Sequence, residues 1–200
     1  MKRILAMLLM MSLAVSMIAC GKSNDNGNNA GYAAEETVVD DTEGKTALDI
    51  LNDVWAGFPE DGKFAIAGGD YSNMTMDVPG TVAVADAETL DALFGFPSAN
   101  ASMLDDGASF MHMMNQKTFT AAAFHVTDAA NVAAVADAVK ENILVRQWMC
   151  GFPEELIVYT VGNNYVVMAF GAEMNTDNFQ SSLEAAYASA KLVHEEDLDG

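Results

Sequence analysis

The stretch ASFMHMMNQKTFTAAAFHV (residues 108–126) decides how this chain folds, because it reads as two strands joined by a turn too short for anything else. Ala108 to Met114 and Thr118 to Val126 are rich in aromatic, small and β-branched residues, and Asn115-Gln116-Lys117 between them carries the turn. The pattern returns in LIVYTVGNNYVVMAF (156–170), where Leu156 to Val161 and Tyr165 to Phe170 flank Gly162-Asn163-Asn164. Each hairpin is followed by a helical pattern. Val132, Val135, Val139 and Ile143 recur at intervals of three and four, which predicts a helix from Thr127 to about Met149. After the second hairpin Thr176 is expected to cap a helix whose Phe179, Leu183 and Tyr187 share a face, with Asp177 at its positive end and Lys191 at the other.

The order is therefore ββαββα. The simplest way to bury these faces is an α+β two-layer sandwich: a mostly antiparallel four-stranded sheet with both long helices on one face. An N-terminal helical segment precedes it. Thr46 and Asp49 form a capping-box pair ahead of Leu48, Leu51 and Val54, and a short second helix is expected from Asp86 to Phe94. Between them, Gly62 to Ala85 alternates in short runs that read as edge strands or extended loop, broken at Gly68-Gly69-Asp70 and at Pro79-Gly80. Gly-Phe-Pro occurs at 57–59, 95–97 and 151–153, each time after a predicted helix, as a shared stop signal.

Outward from this body, the chain begins with Lys2 and Arg3, an apolar run from Ile4 to Ile18, and Ala19-Cys20. Fifteen apolar residues fall short of the roughly 20 a spanning helix needs, so the run reads as a secretory signal. Met17-Ile18-Ala19-Cys20 resembles the lipobox cut by the lipoprotein signal peptidase, which implies cleavage before Cys20 and a diacylglycerol thioether on its sulfur. The expected parts are a signal peptide at 1–19, a lipid-anchored polar tether at 20–45, one domain at 46–194 and an acidic tail at 195–200.

The net charge of −20 becomes −22 once Lys2 and Arg3 leave, with seven basic residues against 29 acidic ones. Those seven are scattered, which excludes a nucleic-acid footprint and a purely electrostatic membrane surface. Acidity on this scale serves solubility, and secondarily recruits cations or a basic partner.

Four features carry candidate chemistry. In Gly68-Gly69-Asp70-Tyr71-Ser72-Asn73 the paired glycines allow close backbone approach, so Gly68, Gly69, Asp70, Tyr71 and Asn73 are the candidate ligand-binding residues, set against a plain capped turn. Met111-His112-Met113-Met114, with Met74 and Met76 near in type, offers soft ligands for copper(I); Met111, His112 and Met113 are the metal candidates. Strand alternation counts against that set, since Met111 and Met113 face one way and His112 and Met114 the other. Pairing around Gln116 would set His112 opposite Thr120, roughly 16 Å along the strand from His125. Cys150 is the one thiol left once Cys20 carries lipid, so the mature domain forms no internal disulfide, and a position after a helix C-terminus disfavours thiolate. For catalysis the chain offers three histidines and no G-x-S-x-G, H-E-x-x-H, Walker or dinucleotide motif.

The segments Gly68 to Thr75, Phe110 to Met114, Arg146 to Pro153 and Asn164 to Val167 resemble small lipoproteins of Gram-positive gut bacteria, some labelled "bacteriocin transport accessory protein", similar to the domain of unknown function 4358. The likeness covers most of residues 46 to 192. It implies a lipid-anchored extracytoplasmic domain and brings no catalytic residues. The expectation is a non-catalytic binding or accessory module at the outer face of the cell membrane, attached to the bilayer through Cys20 and without a cofactor beyond that lipid. It would contact an envelope protein through the sheet face opposite the helices or through the Gly68 to Asn73 loop. A copper-type cation-binding protein and a small hydrolase are the alternatives.

Overall fold

A computed structural model describes residues 40–149 and 152–198. The signal peptide, the Cys20 lipidation position and Cys150 lie outside the described residues. Among those described, no helix is long and apolar enough to cross a membrane.

The element order is α1 (Ala47–Gly57), β1 (Ile66–Gly68), β2 (Thr75–Met76), β3 (Gly80–Thr81), α2 (Ala87–Phe94), β4 (Leu104–His112), β5 (Phe119–Val126), α3 (Val132–Leu144), β6 (Glu155–Val161), β7 (Tyr165–Gly171), α4 (Glu173–Ala186) and β8 (Lys191–Asp197), with 3₁₀ turns at Ser98–Met103 and Ala129–Asn131. All pairings are antiparallel, in the order β2-β1-β4-β5-β7-β6-β8, and β3 also pairs with β4. The α+β class holds. Among the described residues the sheet, however, has eight strands rather than four, because β1 to β3 and β8 extend the two hairpins on either side.

The helices cover both faces instead of one. Alternate residues of β5, β6 and β7 divide between two cores: Ala122, Phe124, Val158 and Met168 pack with α2 and α3, while Ala121, Ala123, Ile157, Tyr159 and Val167 pack with α1 and α4. Both faces of these strands are apolar, so each hairpin's helix has a surface to bury on either side. The second core is crowded with rings. Trp55, Phe58, Phe64, Phe110, Phe119 and Phe179 meet at centroid distances of 5.0 to 6.3 Å, in tilted and edge-to-face geometries favoured by aromatic pairs.

Local chemistry accounts for the boundaries. The Thr46 hydroxyl accepts from the Asp49 N–H at 3.1 Å while the Asp49 carboxylate accepts from the Thr46 N–H at 2.9 Å, the full capping box. Asp86 caps α2 through the Thr89 N–H, and Gly95 ends it in the left-handed region at φ 66°. Gly57 stays helical and abuts Ser182 of α4, so the Gly-Phe-Pro signal acts differently at its two described sites.

α3 is shorter than the expected Thr127–Met149. Asp128 accepts from the Ala130 N–H and turns the chain before Val132. At the far end Arg146 leaves the helix to donate to the Asp91 and Ala92 carbonyls at the C-terminus of α2, where positive charge is favoured. α4 starts at Glu173, three residues before the expected cap, because Ala172 is fixed by donation to the Thr118 carbonyl; Thr176 lies in the first turn, its hydroxyl donating to the Glu155 carboxylate and the Glu173 carbonyl. Lys191 opens β8 instead of closing α4.

Both ends of the domain reach further than expected. Residues 40–45 are docked and not tether: Asp40 accepts from the Asn163 amide at 2.7 Å, Thr42 is buried, and the Asp41 carboxylate binds Ser189. The supposed acidic tail continues β8 along β6 to Asp197, and Leu198 is buried with its N–H on the Glu154 carbonyl.

Candidate functional site

Three short strands build the region that the sequence marked twice. Ala67 of β1 pairs with Met111 of β4 on one side and with Met76 of β2 on the other, so the three side chains project from the same face. Met113 extends the row by donating its N–H to the Ala65 carbonyl at 2.9 Å. The period of two then places Met111 with Met113 and Met76 with Met74, above a floor of Ala67 and Gly69 with no bulky side chain between them. The result is a cleft of about 240 Å³ lined by these four methionines, Ala67, Gly68, Gly69, Asp70, Tyr71, Leu93 of α2 and Gln116.

The loop behind the cleft is held by its own polar groups. Asp70, 3% exposed, accepts from the Ser72 and Asn73 N–H groups at 2.7 and 3.0 Å through one oxygen and from the Ala83 N–H at 2.6 Å through the other. The glycines are required by the chain itself. A Cβ on Gly68 would lie 2.3 Å from the Gly80 nitrogen, and one on Gly69, at φ 81°, would lie 2.1 Å from the Asn73 carbonyl oxygen. The Ser109 hydroxyl closes the knot by donating to the Gly69 carbonyl at 2.6 Å. Gly68, Gly69 and Asp70 therefore shape one wall, Tyr71 adds to the lining, and Asn73 is engaged through its backbone outside it.

The surface this creates is apolar and open. Tyr71, Met74, Met76 and Met113 are 67, 60, 53 and 42% exposed. The two candidate sets thus merge in part: the loop and Met111 with Met113 meet, while His112 is turned away. Its ring stacks on Phe64 at 5.2 Å, and its Nδ1 accepts from the Met114 and Asn115 N–H groups at 3.2 and 3.3 Å, a turn-capping role.

The hairpin register is shifted by one from expectation. Met111, not His112, stands opposite Thr120, because the Asn115 carbonyl accepts from the Thr118 N–H and tightens the turn. His125 pairs opposite Asp106, six residues from His112 along β4, or roughly 20 Å. Met74 and Met76 were visible as an alternating pair near in type to Met111 and Met113; the long-range pairing of β2 through β1 to β4 brings them to Met111.

The remaining imidazoles sit elsewhere. His125 Nδ1 lies 2.5 Å from Asp105 and its ring meets the edge of Tyr165, whose hydroxyl donates to the Lys45 carbonyl at 2.6 Å; burial, with surrounding aspartates, pushes the Tyr165 hydroxyl up to about 12. His194 Nε2 lies 2.8 Å from Asp137. A wider hollow of about 470 Å³ near the start of β4 is lined by Val84, Ala85, Ala87, Ser98, Ala101, Ser102 and Leu104, a set without a titratable side chain. Among the described residues no group of three or more His, Cys, Asp or Glu is placed to hold a metal ion.

Comparison with protein-family models, with curated proteins and with solved structures finds no match to this chain.

Proposed function

We propose that this chain is a membrane-anchored extracytoplasmic lipoprotein, tethered through a lipidated Cys20, that works as a non-catalytic binding or accessory module. Its contact surface is the methionine and tyrosine cleft between β1, β2 and β4. The observation that carries this reading is the open apolar cleft itself: Tyr71, Met74, Met76 and Met113 line it and are exposed, and methionine is the side chain best suited to adapt to a partner. The alternative surface, a sheet face opposite the helices, is covered by helices on both sides.

The test is cross-linking in native membranes from a probe at Tyr71, compared with a probe at exposed Glu141. A partner captured only from Tyr71, and lost on Met74→Ser/Met76→Ser, is the expected result. Equal capture from both positions removes the cleft as contact surface. Mass spectrometry of the native protein checks the anchor separately, with a diacylglycerol-modified Cys20 as the expected N-terminus.

A further inference from the structure

We infer that Met74, Met76 and Met113 form a methionine-oxidation site, at which a peroxide or hypochlorite converts the thioethers to sulfoxides and silences the cleft as a contact surface; the silencing rests on the binding-module reading, the oxidation does not. Access separates the methionines of the domain. Met74, Met76 and Met113 are exposed and line one cleft, whereas Met168 of β7 is fully buried in the core against α2 and α3, and Met111 is partly buried against that same core. An oxidant must reach the sulfur to react with it, so the cleft residues form a fast set and Met168 a protected one. Met114, Met149 and Met174 are exposed as well, but they lie outside the cleft lining, and their oxidation leaves the cleft apolar.

The step is an oxygen-atom transfer. A sulfur lone pair attacks one oxygen of hydrogen peroxide, the O–O bond breaks, an S–O bond forms, and the second oxygen leaves as water after a proton shift. Sulfur gives up two electrons and the peroxide takes them. Hypochlorous acid reacts in the same way and leaves as chloride and a proton. The product is polar and chiral where the parent side chain was apolar and flexible, a change that disrupts surfaces built from methionine.

The cleft has little with which to satisfy the new oxygens. Ala67 and Leu93 are apolar, the Gly69 N–H already donates to the Ser109 carbonyl, and both Asp70 oxygens accept backbone N–H groups, which leaves Tyr71 and Gln116 as the side-chain donors of the lining. The sulfoxides therefore hold water that an apolar partner has to strip away. The frame beneath them is untouched. Ala67 pairs with Met76 and with Met111 through the backbone, and Asp70 holds the loop without help from any sulfur. A methionine sulfoxide reductase, drawing two electrons from a dithiol, returns each thioether and releases water, so the change is reversible.

The first experiment treats the full mature chain with graded hydrogen peroxide and maps the added oxygen by peptide mass spectrometry. Met74, Met76 and Met113 should be oxidised while Met168 stays unmodified, with circular dichroism and the urea midpoint as in the untreated protein. The second repeats the cross-linking from Tyr71 in membranes exposed to peroxide beforehand. Capture should fall at least about tenfold, the cost of stripping water from a single unpaired polar group. In Met74→Leu/Met76→Leu/Met113→Leu, which keeps the apolar bulk and removes the sulfurs, capture should survive the same treatment. Oxidation of Met168 at the rate of the cleft residues, full capture from the oxidised parent, or equal loss in the leucine variant overturns the assignment. Absence of capture from untreated membranes is instead a failure of the contact-surface reading, and the oxidation map stands or falls without it.

Discussion

The two edges of the sheet solve the same problem in opposite ways. An edge strand presents unpaired N–H and C=O groups that invite other chains. β8 is seven residues long and guards its outer side with charge, carrying Lys191, Glu195, Glu196 and Asp197. β2 is two residues long and carries almost none. There the guard is irregularity: three strands of two or three residues, glycines packed backbone to backbone, and Asp70 holding the turn. A short, knotted edge tolerates exposed methionines and a tyrosine that a long regular strand would turn into an aggregation site. One edge is charged and the other is apolar and exposed.

If the knot is what permits the open edge, breaking it should cost more than any surface change. Gly69→Ala places a Cβ 2.1 Å from the Asn73 oxygen in a backbone at φ 81°, and we expect a loss of about 3 kcal/mol, the combined cost of a left-handed alanine and local overpacking. A urea unfolding curve measures it. An unchanged midpoint would mean that the loop rearranges freely and that the edge is not held as described. Asp70→Asn is the next largest. The new amide points N–H against the Ala83 N–H, leaving a buried donor unpaired, and about 2 kcal/mol should be lost in the same assay.

The charged edge makes a prediction of opposite sign. Burial raises the Glu155 carboxyl above its usual 4.5, partly offset by the Thr176 hydroxyl and reinforced by Glu195, Asp177 and Glu173. A raised carboxyl binds its proton more tightly folded than unfolded, so its charge destabilises the fold at neutral pH and ceases to do so below 4.5. Glu155→Gln should therefore raise the urea midpoint at pH 7, with an advantage that shrinks as pH falls through the raised value. A gain that persists unchanged at pH 3.5 would point to packing in place of charge.

How much of this was legible differs between the same regions. The hairpins at 108–126 and 156–170 announced themselves because period-two residues and turn residues agree locally. The capping box at Thr46 and Asp49 was equally local. The side on which each helix packs was not, yet a signal was present: Phe119 to Phe124 and Tyr165 to Phe170 are continuously apolar or small, the mark of strands covered on both faces. β8 hid behind its charges, with Leu192, Val193 and Leu198 too few to read as a strand without β6 beside them. At the cleft, the loop and Met111 with Met113 were each visible, but their meeting depends on Ala67 pairing twice, which no local pattern encodes.

The smallest predicted effect is the most telling for the comparison. Met74 and Met76 are more than half exposed, and a surface substitution of such residues normally shifts stability by no more than about 0.5 kcal/mol. Met74→Ser/Met76→Ser should therefore unfold at the same urea concentration as the parent, within error. On a regular edge, methionine-to-serine changes would also trade β-propensity and cross-strand packing, and a measurable loss would follow. A null result in stability combined with a changed interaction at the cleft separates the residues that build this edge from those that use it. If instead the double variant loses as much as Asp70→Asn, the methionines belong to the fold, and the open edge is core that happens to be poorly covered.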